Sequence, residues 1–149
     1  MADAAFIREC ADPALRPAIV EKFLEKVGTN DPLALSIRAG NRVILVPPAK
    51  TSDEALALVR RWVGVAEVRA GVTRYPAGAG VTDPTAIRGD LLEPCANLRM
   101  GTALFGKVWR IVVKWYGAAV PEAFDDAILA WRIGIFEGKA VFLEPDPGA

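Results

Sequence analysis

Apolar residues recur at helical spacing in four stretches of the chain, and these set its framework. Ile19, Val20, Phe23, Leu24 and Val27 make one stripe, predicting a helix that Pro17 opens and Gly28 stops. A shorter helix capped by Asp3 and running to about Ala11 precedes it. Thr51 followed by Glu54 is a capping-box pattern, and Ala55, Leu56, Leu58, Val59, Trp62 and Val63 give the third helix its core face before Gly64. From about Cys95 to Tyr116 apolar side chains fall on nearly every side (Leu98, Leu104, Phe105, Val108, Ile111, Val112, Trp115), which predicts a central buried helix ended by Gly117. Pro121 opens a last helix with Phe124, Ile128, Leu129 and Trp131 inward, its positive N-terminal end favoured by Glu122, Asp125 and Asp126.

Strand signals fill the gaps. Residues 33–37 and 42–46 read as a hairpin joined by the four-residue connection Arg38-Ala39-Gly40-Asn41 and ended by Pro47-Pro48. Residues 67–73 alternate well enough for a third strand, and Tyr75-Pro76-Ala77-Gly78-Ala79-Gly80 reads as a loop. Asp83-Pro84 starts a short turn or helix, residues 139–143 form a short strand or extended cover, and residues 144–149 form a frayed tail. The pattern therefore predicts one mostly helical α+β domain over residues 1–149 with a small antiparallel sheet.

Composition narrows the function classes. The 18 basic and 18 acidic residues cancel and show no Lys/Arg cluster along the chain, so nucleic acid is not an expected partner. No apolar run approaches the roughly 18 residues of a membrane span. The start, Met1 to Phe6, has neither the basic nor the apolar region of an export signal, so the expected compartment is the cytoplasm, or the periplasm if the chain is processed or exported otherwise.

Histidine is absent, which removes Ser-His-Asp and Cys-His triads and every His-dependent metal site; no metal and no cofactor is expected. Cys10 and Cys95 are too far apart for a CxxC pair and stand as two buried thiols or a disulfide. The Gly-rich loop lacks the Lys-Ser/Thr that follows in a phosphate-binding loop. Carboxylates remain, and Glu21 and Glu25 share a helix face offset from the apolar stripe, as a solvated acidic edge or as a general acid beside a cleft. Trp62, Trp109, Trp115 and Trp131 lie within apolar stripes, where core packing competes with stacking on sugars.

The order of elements resembles the lysozyme-like lytic transglycosylases that accompany type IV secretion systems. The likeness runs through Cys10-Ala11, Asp31-Pro32-Leu33-Ala34-Leu35, the strand at Val68-Arg69-Ala70-Gly71-Val72, and Glu93-Pro94-Cys95-Ala96-Asn97-Leu98-Arg99. In that family the general acid is a Glu-Ser pair just before Asn-Pro-Leu-Ala-Ile, and counting back from Pro32 or forward from Cys10 reaches Val27. The stretch corresponding to GLMQIN is Gly71-Val72-Thr73-Arg74-Tyr75-Pro76, and Tyr-Asn-x-Gly has become Trp131-Arg132-Ile133-Gly134. The resemblance thus implies a lysozyme-like fold without the acid, whose former cleft is lined by Glu25, Gly71, Thr73, Tyr75 and Trp131. It also implies that Cys10 and Cys95 lie close together. Glu25 stands about 200° around the helix from Val27 at ~100° per residue, so a simple exchange of acids needs a register shift.

A closer likeness covers the whole chain. Residues 7–21, Arg38-Ala39-Gly40-Asn41-Arg42, Tyr75-Pro76-Ala77-Gly78 and Lys114-Trp115-Tyr116-Gly117 resemble the TraH proteins of rhizobial and agrobacterial conjugative plasmids. That resemblance implies a part in conjugal transfer. The expectation is an accessory, non-catalytic module that binds peptidoglycan or components of the transfer apparatus. The alternatives are a peptidoglycan-cleaving enzyme with its acid displaced to Glu25 or Glu21, and a cytoplasmic regulator or chaperone-like partner.

Overall fold

The computed structural model describes residues 3–148; Met1 and Ala2 of the expected start and Ala149 of the expected tail lie outside the described residues. Helix α1 (Ala4–Cys10) is capped by the Asp3 carboxylate, which accepts from the Phe6 amide. Helix α2 (Pro17–Val27) has Pro17 in its first turn, and its last turn closes through the Gly28 amide donating to the Leu24 carbonyl. A hairpin follows, β1 (Leu35–Ala39) with β2 (Arg42–Val43), and then α3 (Ser52–Trp62), capped by Thr51 as its Thr-x-x-Glu pattern predicts. Strands β3 (Glu67–Ala70) and β4 (Tyr75–Pro76) and two short 3-10 turns lead into α4 (Pro94–Tyr116). Helix α5 (Pro121–Ile133) and a terminal hairpin, β5 (Ile135–Phe136) with β6 (Lys139–Ala140), complete the described residues. Both long helices end on a left-handed glycine, Gly117 after α4 and Gly134 after α5.

Among the described residues the fold is a mostly helical α+β arrangement of five α-helices and a small antiparallel sheet ordered β2-β1-β3-β4. Its interior has two apolar clusters. Val20, Phe23, Leu24 and Val27 of α2 pack with Leu98, Phe105, Val108 and Val112 of α4 and with Ala127, Ile128 and Trp131 of α5. Ile37 of β1 and Val68 and Ala70 of β3 pack with Ala55 and Val59 of α3 and with Leu91 and Leu92. Tyr75 packs against both clusters, where the helical part meets the sheet.

Several local expectations are corrected. The β1-β2 connection is a two-residue turn at Gly40-Asn41, since Ala39 pairs with Arg42 and Gly40 supplies a positive φ of 61°. Strand β3 stops at Ala70 because Gly71, at φ 77°, turns the chain, and Tyr75-Pro76, expected in a loop, pairs back onto Arg69 and Ala70 as β4. Leu129 is half exposed rather than inward, and Trp115 lies exposed on the last turn of α4, so that helix is central for most of its length and superficial at its end. Strand β6 covers only Lys139–Ala140 of the expected 139–143. In the segment expected to fray, Asp146 accepts two hydrogen bonds from Arg110 of α4 at 2.9 and 2.5 Å. No helix among the described residues is long and apolar enough to cross a membrane.

Candidate functional site

Helices α2 and α5 both end beside the sheet, and their last carbonyls need partners that the helices themselves do not supply. Arginines provide them. Arg74 Nε donates to the Val27 carbonyl at 3.0 Å, Arg132 Nη2 to the Lys26 carbonyl at 2.8 Å, and Arg69 Nη2 to the Arg132 carbonyl at 3.0 Å. The Val27 side chain is buried, only 6% exposed, in the helical cluster. Around these helix ends is a pocket of about 390 Å³ bounded by Val27, Trp131, Val43 and the sheet.

Arg69 is the buried member of this group, with Nε 3.4 Å from a Glu67 carboxylate oxygen in an ion contact that lacks hydrogen-bond alignment. Burial pushes its guanidinium down from the ordinary arginine value, and the neighbouring Glu67 opposes that fall. The guanidinium also lies over the rings of Phe142 and Trp131, 5.1 and 6.0 Å from their centroids, contacts that offset part of the desolvation.

The other residues singled out in the sequence separate into distinct environments. Gly71 and Thr73 are buried, and Thr73 is held by Asn97 of α4, whose carboxamide oxygen accepts from the Thr73 amide at 3.0 Å and from its hydroxyl at 2.7 Å. The same carboxamide donates to the carbonyls of Ala70 at 3.0 Å and Leu91 at 2.7 Å, so its oxygen and nitrogen are both used. A Cβ added at Gly71 would overlap that carboxamide. Trp131, 1% exposed, stands edge-on to Phe23 and donates its indole N–H to the Thr73 carbonyl at 3.1 Å. Tyr75 is half-buried, and burial pushes its phenol above the ordinary value.

Glu25 belongs elsewhere. It is exposed and lines a larger cleft of about 610 Å³ with Phe6, Gly28, Asn30 and Val72. The structure therefore brings Val27 and Trp131 to one pocket and Glu25 to another, while Gly71 and Thr73 join the buried Asn97 network. Cys10 and Cys95 form a disulfide with Cα atoms 5.0 Å apart, tying the end of α1 to the start of α4. Sequence reasoning missed the arginine group because its members come from separate segments. It also passed over Asn97, although the residue stands inside the Cys-Ala-Asn-Leu motif that carried the resemblance.

Comparison with known proteins adds three findings. The full chain, residues 1–149, matches the family described as TraH_2. It is similar to y4dP, an uncharacterized protein of Sinorhizobium fredii, with 52% identity over 153 residues covering 99% of this chain and 76% of that protein. No solved structure matches.

Proposed function

We propose that this chain, which belongs to the TraH_2 family, serves plasmid conjugation as an accessory domain that binds and does not cleave. Membership in that family implies a role associated with conjugal transfer. The finer reading is a lysozyme-like domain retired from transglycosylase chemistry, with peptidoglycan strands or proteins of the transfer apparatus as its partners. The observation that carries it is Val27. Where the resemblance expects a general acid, the side chain is apolar and buried, and the backbone carbonyl is held by Arg74. Proton transfer from a positioned acid contributes roughly 10²–10⁴ in rate, and valine supplies none of it. Glu67 is the one carboxylate lining the pocket beside Val27, and it is in contact with Arg69.

A second reading has an observation in its favour. Glu25 lines the open cleft of about 610 Å³, which places a carboxylate on a surface broad enough for a sugar chain. In that reading the protein cleaves glycan with a displaced acid. The Cys10–Cys95 disulfide favours the periplasmic alternative over the cytoplasm, because such bonds persist in oxidising compartments.

The test is incubation of the purified chain with peptidoglycan sacculi, measuring soluble muropeptides and co-sedimentation together. Binding without muropeptide release supports the accessory role. Release that disappears in Glu25→Gln establishes the enzyme reading and overturns the first.

A further inference from the structure

Chain neighbours give no basic cluster, yet the fold gathers one. The pocket beside Val27 is lined by Lys26, Arg38, Arg69, Arg74 and Arg132, from the ends of α2 and α5, the sheet and the β3-β4 turn, with Glu67 as its single carboxylate. The carbonyl ends of α2 and α5 contribute about half a negative charge each. Five cations against one carboxylate and these two half-charges leave the pocket positive by about three charges.

Much of the donor capacity is unused. Arg74 engages the protein through Nε alone, so both of its terminal nitrogens lack a protein partner among the described residues. Arg132 uses only Nη2, and Arg38 and Lys26 make no side-chain hydrogen bond or ion pair among the described residues. The hydrogen bonds of Arg69 run to the Arg74 and Arg132 carbonyls at 3.4 and 3.0 Å, and those of Arg74 and Arg132 run to consecutive carbonyls at the end of α2. Each of the three guanidinium groups is thus anchored on backbone carbonyls beside the pocket. Guanidinium forks match carboxylate and phosphate oxygens, and preorganised forks lose little entropy on binding them. A volume of about 390 Å³ suits a small molecule, and Val43 and Trp131 give the pocket an apolar wall.

We propose that this pocket is an oxyanion site that takes a small, multiply charged carboxylate or phosphate ligand through the free donors of Arg38, Arg74 and Arg132. The site stands independently of whether the larger cleft binds or cuts glycan.

Calorimetric titration of the full chain at low ionic strength, with citrate in one arm, inorganic phosphate in another and a duplex oligonucleotide in a control arm, tests this. Saturable one-to-one binding in either small-anion arm is expected, and the preferred arm identifies the oxyanion. Arg38→Gln combined with Arg132→Gln weakens it by about tenfold or more, while Glu67→Gln, which removes the opposing carboxylate, tightens it several-fold. Arg61→Gln, on α3 outside the pocket, leaves it unchanged. A melt followed by circular dichroism verifies each fold; if the double variant does not fold, Arg38→Gln alone and Glu67→Gln decide. No saturable binding in either small-anion arm overturns the proposal. So does binding that is indifferent to both the arginine and the Glu67 substitutions, or a response to duplex oligonucleotide with none to either small anion.

Discussion

Replacing Asn97 by alanine tests the junction between the helical cluster and the sheet. The carboxamide is 1% exposed and makes four hydrogen bonds, two accepted from Thr73 and one donated to each of the Ala70 and Leu91 carbonyls. Truncation orphans the Thr73 amide and hydroxyl and the two carbonyls at once. Each buried group left unsatisfied costs about 1–3 kcal/mol. A water entering the vacated polar space re-partners some of them, so the expected loss is about 3–5 kcal/mol and not the full total. That is a large share of the ~5–15 kcal/mol by which a domain is stable, and it corresponds to a fall in Tm of about 6–20 °C at this size. Urea denaturation with the disulfide intact, followed by tryptophan fluorescence and far-ultraviolet circular dichroism, measures it. Asn97→Asp is an informative companion, because it keeps acceptors for Thr73 and sets oxygen against the Ala70 and Leu91 carbonyls; it too is expected to be strongly destabilised. A loss below about 1 kcal/mol for Asn97→Ala would refute the reasoning, since a single net hydrogen bond is worth that much.

Other expectations are as direct. Cys10→Ser releases a closure with a sequence separation of 85 residues and is expected to cost about 2–4 kcal/mol, read as a Tm fall of about 5–15 °C that reductant reproduces in the wild type; an unchanged melt in reductant sinks it. Gly101→Ala gains about 1 kcal/mol of helix propensity but drives a methyl into the Thr73 side chain, so net destabilisation of about 1–3 kcal/mol is expected, and a stabilised variant contradicts the packing. The Tyr116 hydroxyl donates to Asp126, and that bond, aided by desolvation and nearby carboxylates, pushes the phenol up to about 12. A folded value above the unfolded one means the contribution is complete below the ordinary 10.0 and is lost as pH rises through about 12. Ultraviolet titration in a Tyr75→Phe background should show this transition near 12 and its return toward 10 in Asp126→Asn; titration near 10 in the parent refutes the pairing.

Helices were the most readable part of the chain, because their signals are local. The Asp3 and Thr51 caps, Pro17 and Pro121 in first turns, and Gly28 and Gly117 past the last turns lie within a few residues of the boundaries they set. Strands were read less well. Tyr75-Pro76 carries a loop composition, and only its pairing with Arg69 and Ala70 across the Gly71 turn makes it a strand. The exposure of Trp115 and Leu129 depends on where α4 and α5 outrun their neighbours, which periodicity along one helix does not report.

What the sequence determined by itself was the helical framework and the absence of histidine, because each depends on residue identity or on neighbours a few positions away; the expectation of an acid replaced by Val27 came from the resemblance. For the two cysteines the residues alone left thiols and a disulfide both open; adjacency came from the resemblance, and the bond from the structure. Tertiary structure alone decided that Thr73 and Trp131 are buried supports, that Glu25 faces a different cleft from Val27, and that arginines scattered evenly in a neutral chain converge on two helix ends. The physical reason is that unpaired carbonyls at the ends of α2 and α5 draw donors from whichever segments the packing of the two clusters brings near.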